Sequence, residues 1–141
     1  MTIKTTAHLN FRGDARAALT FYQSVFGGFP VFVTYKDAGI SKEPGDADHI
    51  SWGQVMSDAG FSIMAYDVPQ WMSYSPGEIP VFVSVRGDNA DEITSYWNKL
   101  SESATIVQDQ APTSWSPLYG MLKDKFGVTW VLDVAVAYQA Q

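Results

Sequence analysis

The segment FRGDARAALTFYQSVF, starting at Phe11, lies over VRGDNADEITSYWNKL, starting at Val85, without a gap. Arg12-Gly13-Asp14 falls on Arg86-Gly87-Asp88, Leu19-Thr20 on Ile93-Thr94, Tyr22 on Tyr96 and Phe26 on Leu100. Upstream, Ala7, Leu9 and Phe11 fall on Val81, Val83 and Val85, an alternating apolar pattern in both copies. No other feature constrains the chain as much, because both copies must form the same supersecondary unit. On a loop of an extracellular protein, Arg-Gly-Asp would invite an adhesion role. Within a repeat it is better explained as a recurring corner of the fold.

The local physics agrees in the two copies. Alternation at Ala7, Leu9 and Phe11, and again at Val81, Val83 and Val85, predicts a strand with one face buried. Glycine then permits a sharp turn, and Asp14 or Asp88 is suited to cap the helix that follows. Arg12 and Arg86 are expected as solvated corner residues. Ala18, Tyr22, Val25 and Phe26 share one face of the first predicted helix, which Gly27-Gly28 ends. Ile93, Tyr96, Trp97 and Leu100 make the equivalent stripe in the second.

Strand-like runs, not further helices, come next. FPVFVTYK (29–36), HISWGQVM (49–56) and FSIMAYDV (61–68) follow the first helix. ATIVQ (104–108), LYGMLK (118–123) and VTWVLDVAV (128–136) follow the second. The module ends also correspond, with GFSIMAYDV at Gly60 over GVTWVLDV at Gly127 and Met64 over Val131. The prediction is an α+β chain, one domain over 1–141, built from tandem βαβββ modules at 3–68 and 80–136. The polar loop 36–48 lengthens the first module. Pro and Gly punctuate a linker at 69–79, where neither a helical nor a strand period survives.

Composition excludes several classes of function. At 141 residues, 46% hydrophobic and 17% charged, the chain reads as globular, not disordered. Without cysteine there is no disulfide framework, thiolate metal site or cysteine nucleophile. The net charge of −6 and nine scattered basic residues argue against nucleic acid, whose phosphates need a basic stripe. The N-terminal MTIKTTAHLNF lacks the apolar core and cleavage site of a signal peptide. No apolar run approaches the ~20 residues of a membrane-spanning helix. A cytoplasmic location is the expectation. GDARAAL resembles a phosphate-binding helix start only weakly, since a second Gly or a Lys-Ser/Thr pair is missing.

HLNFRGDARAALTFYQSVFGG near the start and YGMLKDKFGVTWVLD near the end resemble the vicinal oxygen chelate superfamily. The similarity is to its PhnB-like branch, catalogued as 3-demethylubiquinone-9 3-methyltransferase, and it covers roughly residues 3 to 136. The resemblance implies two βαβββ modules whose sheets curl into an open barrel around a cavity, in a homodimer. It also implies four inward positions that hold a divalent metal in the glyoxalase and dioxygenase branches. Matched by motif, these fall near Ala7, Met64, Pro80 and Val131, none of which can ligate such a cation. His8 stands one residue away, on the side opposite that shared by Ala7, Leu9 and Phe11. A metal-free protein with no cofactor is therefore expected.

Leu9, Phe11, Met64, Val83, Val131 and Asp133 on the strands, with Trp115 and Tyr119, are the expected ligand-binding residues. The loop aromatics Trp71, Tyr74, Trp115 and Tyr119 could equally wall a planar ligand or pack against another subunit. His49, beside Asp48, is either a general base or an ordinary strand-end histidine. Asp133 shares parity with Val131 and is either an acid–base group or a hydrogen-bonded strand-end aspartate. The methyltransferase label conflicts with the pattern, since strand–helix alternation stops after one helix and no Gly-rich nucleotide turn is present. The expected function is small-molecule binding in a mostly apolar cavity, as in bleomycin-resistance-type proteins. The alternative is a lyase- or isomerase-like enzyme using His49 or an unrecognised metal site.

Overall fold

Strand β1 (His8–Phe11) leads through the Arg-Gly-Asp corner into α1 (Ala15–Phe26), and β2 (Phe29–Thr34), β3 (Ile50–Met56) and β4 (Ser62–Asp67) follow. The order repeats as β5 (Phe82–Gly87), α2 (Ala90–Leu100), β6 (Thr105–Ala111), β7 (Tyr119–Lys123) and β8 (Thr129–Val134). The computed structural model describes residues 3–136. Two compact units, Met1–Pro76 and Gly77–Gln141, divide the chain, and the division falls inside the expected linker.

Each unit is a four-stranded mixed sheet with one helix. The first sheet has the order β1-β4-β3-β2 and the second β5-β8-β7-β6. In each, the first strand pairs in parallel with the last, and the remaining pairs are antiparallel. This is the expected α+β arrangement, a duplicated βαβββ module. Helix α1 packs on β2, β3 and β4, and α2 on β5 and β8.

Helix-facing apolar residues form the core of each unit. Ala18, Leu19, Tyr22, Val25 and Phe26 are buried on α1, as are Ile93, Trp97 and Leu100 on α2. Burying each large side chain contributes roughly 2 kcal/mol. Gly53 and Gly120 let the helices approach. A Cβ on Gly53 would lie 2.5 Å from a Leu19 methyl carbon, and one on Gly120 2.6 Å from the Trp97 ring. These contacts fix which face of each sheet its helix covers.

The corner residues depart from expectation. Asp14 makes no side-chain cap bond. The cap arrives from the end of β4, where Asp67 Oδ1 accepts from Gly13 N at 2.7 Å and Ala15 N at 3.0 Å. Its Oδ2 accepts from Ile50 N, so one carboxylate ties corner, α1 and β3 together. In the second copy Asn89, not Asp88, caps α2 by accepting from Glu92 N. Arg12 is no solvated corner: its guanidinium donates to the carbonyls of Val68, Pro69 and Met72 and lies over the Tyr74 ring. Arg86 is also partnered, with Asp133.

Candidate functional site

Strands present alternate residues to opposite faces, so the sheet face away from α2 can be read from register. Arg86, Asp133 and Tyr119 form one row across β5, β8 and β7. Ser84, Val131 and Met121 form the next, and Phe82, Thr129 and Lys123 the third. At ordinary sheet spacings this nine-residue grid spans about 10 by 13 Å, the size of a small planar molecule. Arg86 Nε donates to Asp133 Oδ1 at 3.1 Å, with the aspartate side chain 7% exposed and the arginine 55%.

An aromatic wall borders the first row. Trp115 meets Tyr119 edge-on, with centroids 5.3 Å apart. The turn that carries Trp115 is fixed on both sides. Thr113 N donates to Ser116 O, and Ser116 Oγ donates to the carbonyls of Leu118 and Val134. The aromatic edge is thus anchored to the end of β8, next to Asp133.

The first sheet's helix-free face has a different chemistry. His8, Met64, Gln54 and Val31 form a row across all four strands. His8 lies edge-on to Tyr66 and its Nδ1 is 3.2 Å from Asn10 Oδ1. Trp52 Nε1 donates to Met64 Sδ at 3.1 Å. No Asp, Glu, Lys or Arg stands in these positions.

The expected site residues therefore divide. Val131, Asp133, Tyr119 and Trp115 come together on the second sheet, and Met64 takes the matching face of the first. Leu9 and Phe11, expected on Met64's side, lie on the opposite face. Leu9 pairs with Ala65 and Ala65 with Gly53, which places them on the α1 side, 7% and 4% exposed. Val83 likewise pairs with Trp130, on the opposite face from Val131. The reason is parity: an edge strand with one apolar face turns it to its own module's helix. His8 consequently shares a face with Met64.

His49 stands at the mouth of β3 near the Gly13 corner. Its carboxylate neighbour is Asp46, not Asp48. Nδ1 lies 3.8 Å from Asp46 Oδ1, and the buried Nδ1 has no hydrogen-bond partner. Asp46 Oδ2 in turn accepts from Gln70 N. Trp71 is exposed and lies under Lys42, while Tyr74 donates its hydroxyl to Asn10 O. Arg86, Ser84, Met121 and Lys123 were missed from sequence; cross-strand register, applied to the second module's apolar runs, is the signal that finds them.

The donor set does not suit a divalent metal. Among the described residues, no three His, Asp or Glu side chains cluster closely enough to hold an ion. Met64 and Val131, two of the positions at which the resemblance implied metal ligands, offer no hard ligand.

The family model described as 3-demethylubiquinone-9 3-methyltransferase matches residues 3–132. Protein PA1353 of Pseudomonas aeruginosa is 27% identical, with 95% of this chain and 98% of that one covered and a TM-score of 0.82. A PhnB protein from Bacillus cereus is 25% identical over 94% of this chain and 100% of that one, with a TM-score of 0.70. A glyoxalase/bleomycin resistance protein/dioxygenase family enzyme from Burkholderia phytofirmans PsJN, 16% identical, shares the fold at a TM-score of 0.60, covering 92% and 98%. No curated protein matches the sequence.

Proposed function

Because the chain belongs to the 3-demethylubiquinone-9 3-methyltransferase family, in the PhnB-like branch of the vicinal oxygen chelate superfamily, we propose that it binds a small molecule without a metal. The observation that carries this is the grid on the second sheet. It combines an apolar centre (Val131, Met121), an aromatic edge (Tyr119, Trp115) and one oriented ion pair (Arg86, Asp133). Pockets for small ligands are built from these parts: apolar area for affinity and a few fixed polar groups for orientation.

Methyl transfer is not the activity we propose. A nucleotide-like methyl donor calls for a doubly wound sheet with a Gly-rich turn, and both sheets here are mixed with one helix each. No helix among the described residues is long and apolar enough to cross a membrane. In this reading the protein is a cytoplasmic homodimer.

Thermal-shift screening against metabolites and planar antibiotics tests the proposal, since a ligand specific for the native state raises Tm by mass action. Hits should lose their effect when Met121→Lys places a charge at the grid's centre. Hits that stabilise this variant as well as the parent would overturn the assignment of the face. A second reading, general-base catalysis by His49, is favoured by the buried Asp46 carboxylate behind Nδ1. Unchanged ligand-dependent turnover in His49→Gln would remove it.

A further inference from the structure

The grid's polar groups narrow the chemistry of what it can hold. Arg86 reaches Asp133 through Nε alone, and among the described residues its Nη groups have no other partner. Guanidinium presents five N–H donors in one plane, so anchoring Nε fixes the direction of the rest before any ligand arrives. Little rotamer freedom then remains to be lost on binding. Asp133 is nearly buried, so its role is to hold the arginine, while the arginine, half exposed, is the member that faces a ligand.

The surrounding charge has a consistent sign. The nine grid positions carry two cations, Arg86 and Lys123, against the single carboxylate of Asp133. The whole chain carries −6, so this face departs from the average in favour of an anion. Lys123 is drawn to the grid's far corner, where Nζ donates to Glu78 O at 3.4 Å. The aromatic pair is at the opposite end of β7, in the same row as Arg86 but separated from it by Asp133 of β8. A ligand with its acidic group on Arg86 would therefore lay its body across Val131 and Met121 with its edge against Tyr119 and Trp115.

We propose that the helix-free face of the second sheet is a site for a planar aromatic anion, whose paired oxygens are received by the Nη groups of Arg86. The proposal rests on the small-molecule reading above and specifies its ligand class. Charge-assisted, two-point contacts of this kind are the strong form of hydrogen bond, and lysine cannot reproduce their geometry.

The probes are benzoate and its neutral isostere benzamide, titrated into 15N-labelled full-length protein. Shifts of the Arg86 Nε–H, the Tyr119 amide and the Trp115 indole N–H are followed. Benzoate should bind saturably and about tenfold or more tightly than benzamide. Raising the salt concentration should weaken benzoate and leave benzamide unaffected. Arg86→Gln should bring benzoate down to the level of benzamide. Arg86→Lys, which keeps the charge opposite Asp133, should lose about tenfold and serves as the test if the glutamine variant does not fold. Equal binding of the two probes at these residues would overturn the anion assignment and leave the small-molecule reading standing. Silence from both probes would overturn the two together. A benzoate preference that survives both variants would remove Arg86 from the site.

Discussion

At Asp67 a single carboxylate receives three backbone N–H groups, from Gly13, Ala15 and Ile50. Replacing it leaves three donors without a partner, two of them, Ala15 N and Ile50 N, in buried bonds. Asp67→Ala should cost about 3 kcal/mol or more, measured by urea unfolding, while Asp14→Ala should stay within about 0.5 kcal/mol. Comparable losses in the two variants would contradict the assignment of the cap. The sequence pointed to Asp14 because caps are ordinarily local; a cap delivered from the end of β4 has no local signature. Next to it, the Tyr35 hydroxyl donates to Asp67 O at 2.6 Å. Burial, reinforced by the negative charge of neighbouring groups, pushes its pKa up to about 12 from 10.0. Between these values the unfolded chain gives up a proton that the folded one keeps, so stability is intact below pH 10 and falls toward pH 12. Tyr35→Phe should lose about 1 kcal/mol at neutral pH. It should also flatten the alkaline limb, and a limb unchanged in slope would assign the effect to another tyrosine.

Helix α1 ends where two glycines do different work. Gly27 has φ 78° and open space where a Cβ would stand, so Gly27→Ala should cost about 2 kcal/mol of backbone strain alone. Gly28 has φ 95°, and a Cβ there would come within 2.1 Å of Met56 O, a backbone atom at the end of β3. Gly28→Ala should therefore destabilise clearly more than Gly27→Ala in parallel denaturation curves. Equal losses would mean that the approach of α1's end to β3 is not close. The elements themselves were legible because each has a strong local period or a clear stop. Alternation in β1 and β5, the apolar stripes of α1 and α2, and Gly27-Gly28 all led to the right element. The facing of the strands was not. Leu9, Phe11 and Val83 announce that one side is buried but not whether a helix or a ligand buries it. TWVLDV in β8 is largely buried on both sides, with Trp130, Leu132 and Val134 on one and Thr129, Val131 and Asp133 on the other. Only register shows which of the two faces the helix. The DKFGVTW segment, which carried much of the family likeness, proves to be structural. Asp124 accepts from Phe126 N, Val128 N and Trp130 Nε1, locking the turn between β7 and β8.

Across the described residues, every buried carboxylate is already committed to an internal donor. Asp46 receives Gln70 N, Asp67 three backbone groups, Asp124 two backbone groups and an indole, and Asp133 the Arg86 guanidinium. Recruiting any of them to a cation would break bonds that hold a corner, a turn or the grid. The two histidines belong to different surroundings, His8 with Asn10 and Tyr66 and His49 with Asp46. This distribution is a property of the whole chain: acidic residues are plentiful, yet the buried ones serve the duplicated frame. Met64 and Val131, where the family resemblance implied metal ligands, carry no hard donor. Protein purified without chelator should accordingly contain well under one equivalent of Ni, Zn, Fe or Mn by elemental analysis. Dialysis against EDTA should leave Tm unchanged, because removing a bound metal would withdraw its binding free energy from the folded state. One equivalent of metal whose removal lowers Tm would show that the frame yields some of these carboxylates after all. The anion site could then no longer be assigned to Arg86 alone, since a cation near Asp133 would compete for the same carboxylate.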